Sequence, residues 1–136
     1  MLTHRCQKRV RYGETDQMGY LYYGNYAVYY EIGRVEMLRS VGLTYRSLET
    51  EHGVWMPVMR LDIRYVRPAL YDDLITIQTS LRTLPARTIT FDMELFNERN
   101  KLINGGKVSL CFVDANTQKR IDCPTLLLDA LRPSFS

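Results

Sequence analysis

The residues best suited to chemistry lie between Tyr12 and Tyr26, where the chain reads Y-G-E-T-D-Q-M-G-Y-L-Y-Y-G-N-Y. Asp16 sits at the centre of an acidic turn, just ahead of a segment patterned as a long helix. The first N–H groups of a helix have no partner inside it and carry the positive end of its dipole. A carboxylate beside such a start can act on a carbonyl while those N–H groups stabilise the developing negative charge. That combination opens an acyl bond without a metal, a cysteine or a serine. Glu14-Thr15-Asp16 ahead of Met18-Gly19 is also an ordinary turn sequence. Three neighbours favour the chemical reading. Gly19 lets backbone or ligand approach closely. Tyr20, Tyr22, Tyr23 and Tyr26 are unusual company for a loop and suit a pocket wall. The helix that follows supplies the N–H groups.

Other candidates are weaker. Asn25, with Gly24 beside it, is a natural N-cap for the helix. Glu31 can pair with Arg34 and Glu36 with Arg39 at i, i+3, so ion pairs are their default role. Glu31 lies one turn into the helix and is also a candidate for facing a substrate cleft. Arg60, Arg64 and Arg67 suit a solvated face, and they are the best candidates for holding phosphates. His4 and His52 lie in no motif. The absence of H-E-x-x-H and G-x-S-x-G argues against a zinc hydrolase and a serine-elbow hydrolase. Gly105-Gly106 lacks the G-K-[ST] of a phosphate loop and marks either a bulge or a close approach.

The elements that must position these residues follow from periodicity. His4 to Arg11 reads as a short strand and residues 13–24 as loop. From Asn25 to Val41 the pattern is helical, ending at Gly42 as a C′ residue. Val28, Ile32 and Val35 form one apolar row, and Ala27, Tyr30, Met37, Leu38 and Val41 a second. Two rows predict a largely enclosed helix. Leu43 to Gly53 has room for a short helix. Four segments then alternate apolar and polar residues: Val58–Val66, Leu74–Leu84, Arg87–Asn97 and Lys107–Asp114. Such alternation predicts antiparallel strands with one face on a helix, and the short connections predict a meander. A last helical turn or two is expected at Leu126–Leu131. The architecture is α+β, with one curved antiparallel sheet around one long helix. Its free strand edges make pairing with a second copy plausible.

Bulk composition bounds the rest. The chain has 136 residues, 46% of them hydrophobic and 24% charged, which fits one domain over 1–136. No apolar run is long enough to span a membrane, and the opening MLTHRCQKRVRY has no secretory h-region. Cys6, Cys111 and Cys123 are odd in number and far apart, so a reducing cytoplasm is expected. The net charge of +3 is too small and dispersed to imply nucleic acid.

Three stretches together resemble a known family: Y-x-x-T-D-x-M-G-x-x-Y-Y-x-N-Y, E-I-G-R-V-E-M-L-R and Y-V-R-P-A-L-Y-D-D-L. They look like the acyl-CoA thioesterases of the 4-hydroxybenzoyl-CoA thioesterase type, which have the hotdog fold. The resemblance spans Val10 to Pro124. It implies that Asp16 is the catalytic aspartate, as general base or nucleophile. It also implies that Tyr22-Tyr23-Gly24-Asn25 opens the helix whose N–H, from Tyr23 or Gly24, polarises the thioester carbonyl. Many relatives carry histidine where Tyr23 stands, and others tyrosine. The substrate implied is an acyl-CoA, with no separate cofactor and no metal, and the assembly a homodimer or homotetramer. Expected substrate contacts are Gly19, Tyr22, Asn25, Glu31 and Arg67. A dehydratase or hydratase on the same fold, or a non-catalytic acyl-CoA or acyl-carrier binding module, are the alternatives.

Overall fold

The computed structural model describes residues 1–135. Its principal elements are β1 (Leu2–Arg9), α1 (Tyr26–Ser40), α2 (Tyr45–His52), β2 (Val54–Trp55), β3 (Val58–Tyr65), β4 (Leu74–Leu81), β5 (Thr88–Phe96), β6 (Leu102–Asp114), β7 (Arg120–Ile121) and α3 (Thr125–Leu131). The strands form one antiparallel sheet in the order β1-β4-β5-β6-β2. β3 pairs with the first part of β6, while β2 and β7 pair with its end. α1 packs across β1, β4 and β5. This is the α+β arrangement of a curved antiparallel sheet around a long helix.

The period-2 pattern places the core as expected. In β5, Ile89, Phe91, Met93 and Leu95 are buried. In β6, Val108, Leu110 and Phe112 do the same from the neighbouring strand. Against them α1 buries Tyr26, Tyr29, Tyr30, Met37 and Leu38. Each fully buried side chain of this size contributes about 1.5–3 kcal/mol.

The buried face of α1 differs from the one its apolar rows predict. Val28 is exposed, and Ile32 and Val35 are only half-buried. The reason is Gly33. A Cβ there would lie 2.5 Å from Thr79 Oγ1 and 2.7 Å from Ile77 Cγ2. Its absence lets the helix backbone settle onto β4, and this turns the Val28 row away. Apolar counting does not score a glycine as core.

Two further expectations are corrected. The strands do not form a simple meander, because β3 pairs with β6 and β1 takes the place beside β4. The chain between β3 and β4 does not turn back as a hairpin. It is bonded to the N-terminal loop through Val10 N–H on Asp73 O (2.9 Å), Leu21 N–H on Ala69 O (2.7 Å) and Tyr71 N–H on Gly19 O (3.1 Å). Nor is there a bulge at Gly105-Gly106. β6 runs through both glycines in regular register, with Gly105 opposite Arg64 and Gly106 opposite Ile63. Close approach is what they serve: a Cβ on Gly106 would lie 2.0 Å from the Asp62 carbonyl oxygen.

Candidate active site

The loop between β1 and α1 folds on its own carboxylates. Asp16 Oδ1 accepts the N–H groups of Met18 (2.9 Å) and Tyr20 (3.2 Å), an Asx turn that fixes the side chain. The Asp16 N–H in turn reaches Tyr20 O at 2.8 Å. Gly19 holds φ +78°, a conformation that strains other residues, so it serves the turn that presents Asp16. The second carboxylate oxygen has no hydrogen-bond partner among the described residues.

The start of α1 is not a simple N-cap. A 3-10 turn over Tyr23–Asn25 leads into the helix. Asn25 has helical dihedrals, and its side chain caps no N–H. Its N–H is already used on Tyr22 O (2.9 Å), and its Nδ2 donates to Glu14 O (2.8 Å). The expected capping role is therefore replaced by a tie back to the loop. The Tyr22 N–H also goes to Glu14 O, at 2.9 Å. That leaves the N–H groups of Tyr23 and Gly24 without an acceptor among the described residues. A Cβ on Gly24 would lie 2.9 Å from the exposed Tyr22 ring, which would have to shift to admit it; that ring tilts against the Tyr23 ring with centroids 4.6 Å apart.

A cleft of about 310 Å³ joins these pieces. Its walls include Asp16, Met18, Tyr20, Tyr23, Tyr26, Tyr65 and Arg67. Tyr65, on β3, donates its hydroxyl to Tyr23 O at 3.1 Å and meets the Tyr26 ring edge-on, centroids 5.2 Å apart. Burial raises the Tyr26 hydroxyl above its ordinary range, with the charges of Tyr65 and Asp16 adding to the effect, so it stays a neutral phenol. Arg67 is fixed by Nη1 on Leu102 O, 3.0 Å.

Of the residues singled out from sequence, the structure brings Asp16, Tyr20, Tyr23, Tyr26 and Arg67 to this cleft. Gly19, Tyr22, Gly24 and Asn25 lie in the loop and turn that shape it. Glu31 lies elsewhere, in a separate cleft of about 390 Å³ with Val28, Arg34, Tyr45, Val58 and Leu61. The expected Glu31–Arg34 ion pair does not form. Arg34 is buried and donates Nε to Tyr45 OH at 3.0 Å, which turns it off the solvent side of the helix. Glu36 and Arg39 do pair. Of the three arginines proposed for phosphates, Arg60 is held by Asp62 at 2.9 Å. Tyr65 and Glu14 were not singled out from sequence. The Y-V-R-P stretch at the end of β3 contains Tyr65, but no local pattern in it points to the cleft.

A larger groove of about 700 Å³ runs over Gly105 and Gly106. Within its walls Asp92 takes both Arg82 and Lys107. It has no residue of the Asp16 loop. Among the described residues no group of three His, Cys, Asp or Glu side chains could hold a metal, and no helix is long and apolar enough to cross a membrane.

Residues 10–131 match the family model described as "Thioesterase-like superfamily". The Acyl-CoA thioester hydrolase YbgC of Escherichia coli is 32% identical over 110 residues, 81% of each chain. The crystal structure of a DHNA-CoA thioesterase from Staphylococcus aureus superposes with a TM-score of 0.87 at 26% identity, covering 100% of this chain and 97% of that one. A 4-hydroxybenzoyl CoA thioesterase mutant complexed with 4-hydroxybenzoyl CoA shares the fold at 18% identity, with a TM-score of 0.84 and coverage of 94% and 97%.

Proposed function

The chain belongs to the thioesterase-like superfamily and is an acyl-CoA thioester hydrolase of hotdog fold, and we propose that Asp16 and the start of α1 are its active centre. The observation that carries this reading is one juxtaposition. The Asx-turn carboxylate and Tyr23 wall the same cleft, and the Tyr23 and Gly24 N–H groups lack an acceptor.

In this mechanism the thioester carbonyl lies against the 3-10 turn, its oxygen taking the Tyr23 or Gly24 N–H. Charge that develops on that oxygen is met by fixed donors at the positive end of α1. Asp16 removes a proton from a water as the water oxygen bonds to the carbonyl carbon. The C–S bond then breaks, and CoA leaves as a thiolate that takes a proton from solvent. In the alternative course the free Asp16 oxygen bonds to the carbonyl carbon itself, and the resulting anhydride is cleaved by water. A thiolate is a good leaving group, so neither course needs a strong acid. Tyr20, Tyr26 and Tyr65 exclude water from one side, and Arg67 is the cation available to the CoA portion.

A second copy of the chain completes the cleft in this proposal. Val58, Leu61, Tyr65 and Val66 are all more than a third exposed on or beside β3, whose outer edge is unpaired in the single chain. Thiol release measured across short, long and aromatic acyl-CoAs tests the activity and the acyl preference together. Binding without release of CoA would instead favour a binding module.

A further inference from the structure

We infer that Glu14 is a positioning residue that sets the Asp16 loop against the start of α1. This rests on the active centre proposed above. Glu14 stands two residues before Asp16 and is tied to β1, to the 3-10 turn and to α1. Its Oε1 accepts the Tyr29 hydroxyl at 2.7 Å, and Tyr29 is fully buried in α1. The same oxygen accepts the Arg11 N–H at 2.8 Å, closing the turn that follows β1. Lys8, on β1, approaches Oε2 to 3.0 Å and also sits over the Tyr29 ring, 5.2 Å from its centroid. The Glu14 main-chain oxygen takes Tyr22 N–H and Asn25 Nδ2, one at each end of the 3-10 turn.

Side chain and main chain of one residue thus hold opposite halves of the centre. The main-chain oxygen takes up the Tyr22 N–H, which leaves the next two N–H groups as the free ones. The carboxylate pins the loop to the first full turn of α1 through a hydroxyl that cannot move without disturbing the core. Loss of the carboxylate leaves Asp16 its own Asx turn but frees that turn to drift from the helix. A misplacement of about 1 Å between reacting groups costs up to roughly 100-fold in rate. The loss should therefore fall mainly on kcat, since Tyr23, Tyr26, Tyr65 and Arg67, the cleft walls outside that turn, keep their places.

The test is steady-state hydrolysis of one acyl-CoA by Glu14→Ala, Glu14→Gln, Tyr29→Phe and Asp16→Asn, with urea melts alongside. Glu14→Ala is expected to lose tenfold or more in kcat with KM within twofold. Glu14→Gln keeps an oxygen for the Arg11 N–H and the Tyr29 hydroxyl, and should recover most of the loss. Tyr29→Phe should fall between, and adding it to Glu14→Ala should cost nothing further. A loss under fivefold in Glu14→Ala, a change confined to KM, or a glutamine variant as poor as alanine overturns the inference. If Glu14→Ala does not fold, Tyr29→Phe decides alone, with kcat within twofold of wild type as the overturning result. Full activity in Asp16→Asn instead overturns the reading of the centre, whatever Glu14 does.

Discussion

Gly105 and Gly106 are neighbours in β6, neither has left-handed backbone, and alanine at the two positions should have opposite effects. A Cβ on Gly105 meets nothing closer than Met93 O at 3.6 Å, an ordinary contact. Gly105→Ala removes unfolded-state freedom and adds strand propensity, so it should be neutral or stabilise by up to about 1 kcal/mol. A Cβ on Gly106 would stand 2.0 Å from the Asp62 carbonyl oxygen and 2.8 Å from the Tyr30 hydroxyl. A carbon–oxygen contact needs roughly 3.3 Å, so β3 must retreat by about 1 Å. Two or three ladder hydrogen bonds lost at about 1 kcal/mol each, with about 1–3 kcal/mol of overpacking, give a cost of about 3–6 kcal/mol. Urea unfolding of both variants measures the difference. β3 also carries Tyr65, so folded Gly106→Ala protein should hydrolyse acyl-CoA poorly even where stability suffices. Costs equal to within about 0.5 kcal/mol for the two alanines would refute the reasoning that the β3–β6 approach is set by Gly106.

Tyr65→Phe removes the hydroxyl on Tyr23 O from an exposed ring, so stability should change by less than about 1 kcal/mol while kcat falls several-fold; unchanged kcat would separate Tyr65 from the centre. Partial burial pushes the Glu14 carboxyl up, but the Arg11 N–H, the Tyr29 hydroxyl and Lys8 outweigh it and hold the group below its usual 4.5. A depressed carboxyl stabilises the fold above its unfolded value and loses that contribution as pH falls through the folded one. The stability gap between wild type and Glu14→Gln, read from urea midpoints, should be full at pH 6 and close below about pH 4.5; a gap that persists at low pH contradicts this. Leu61→Asp places a charge on the uncovered β3 row and should convert an assembled protein to monomer in analytical ultracentrifugation.

How far the residues alone reach is clear from particular elements. The β5 and β6 alternation located the core because side-chain period is fixed by the pleat. The loop-then-helix order located Asp16 because turn formers and apolar periodicity are both local signals. Gly33 was not legible, since its contribution is an absence that matters only once β4 lies across it. The β3–β6 pairing was not legible either, because local turn chemistry is silent about a connection that docks on a distant loop. Asn25 has the residue type of a cap, yet its amide finds a better partner in Glu14 O, a choice set by the folded loop. Tyr65 lies 42 residues from its partner Tyr23, and no local spacing joins them.

The proposed hydrolysis turns on the Asp16 carboxylate. Single-turnover release of CoA from an acyl-CoA that the wild type hydrolyses, compared with Asp16→Asn shown to be folded by its urea midpoint, tests it most directly. The amide keeps an oxygen for the Met18 and Tyr20 N–H groups, so the turn survives while the base or nucleophile is gone. The hydrolysis rate should fall by about 100-fold or more. A folded Asp16→Asn protein that turns over at near the wild-type rate would contradict that role.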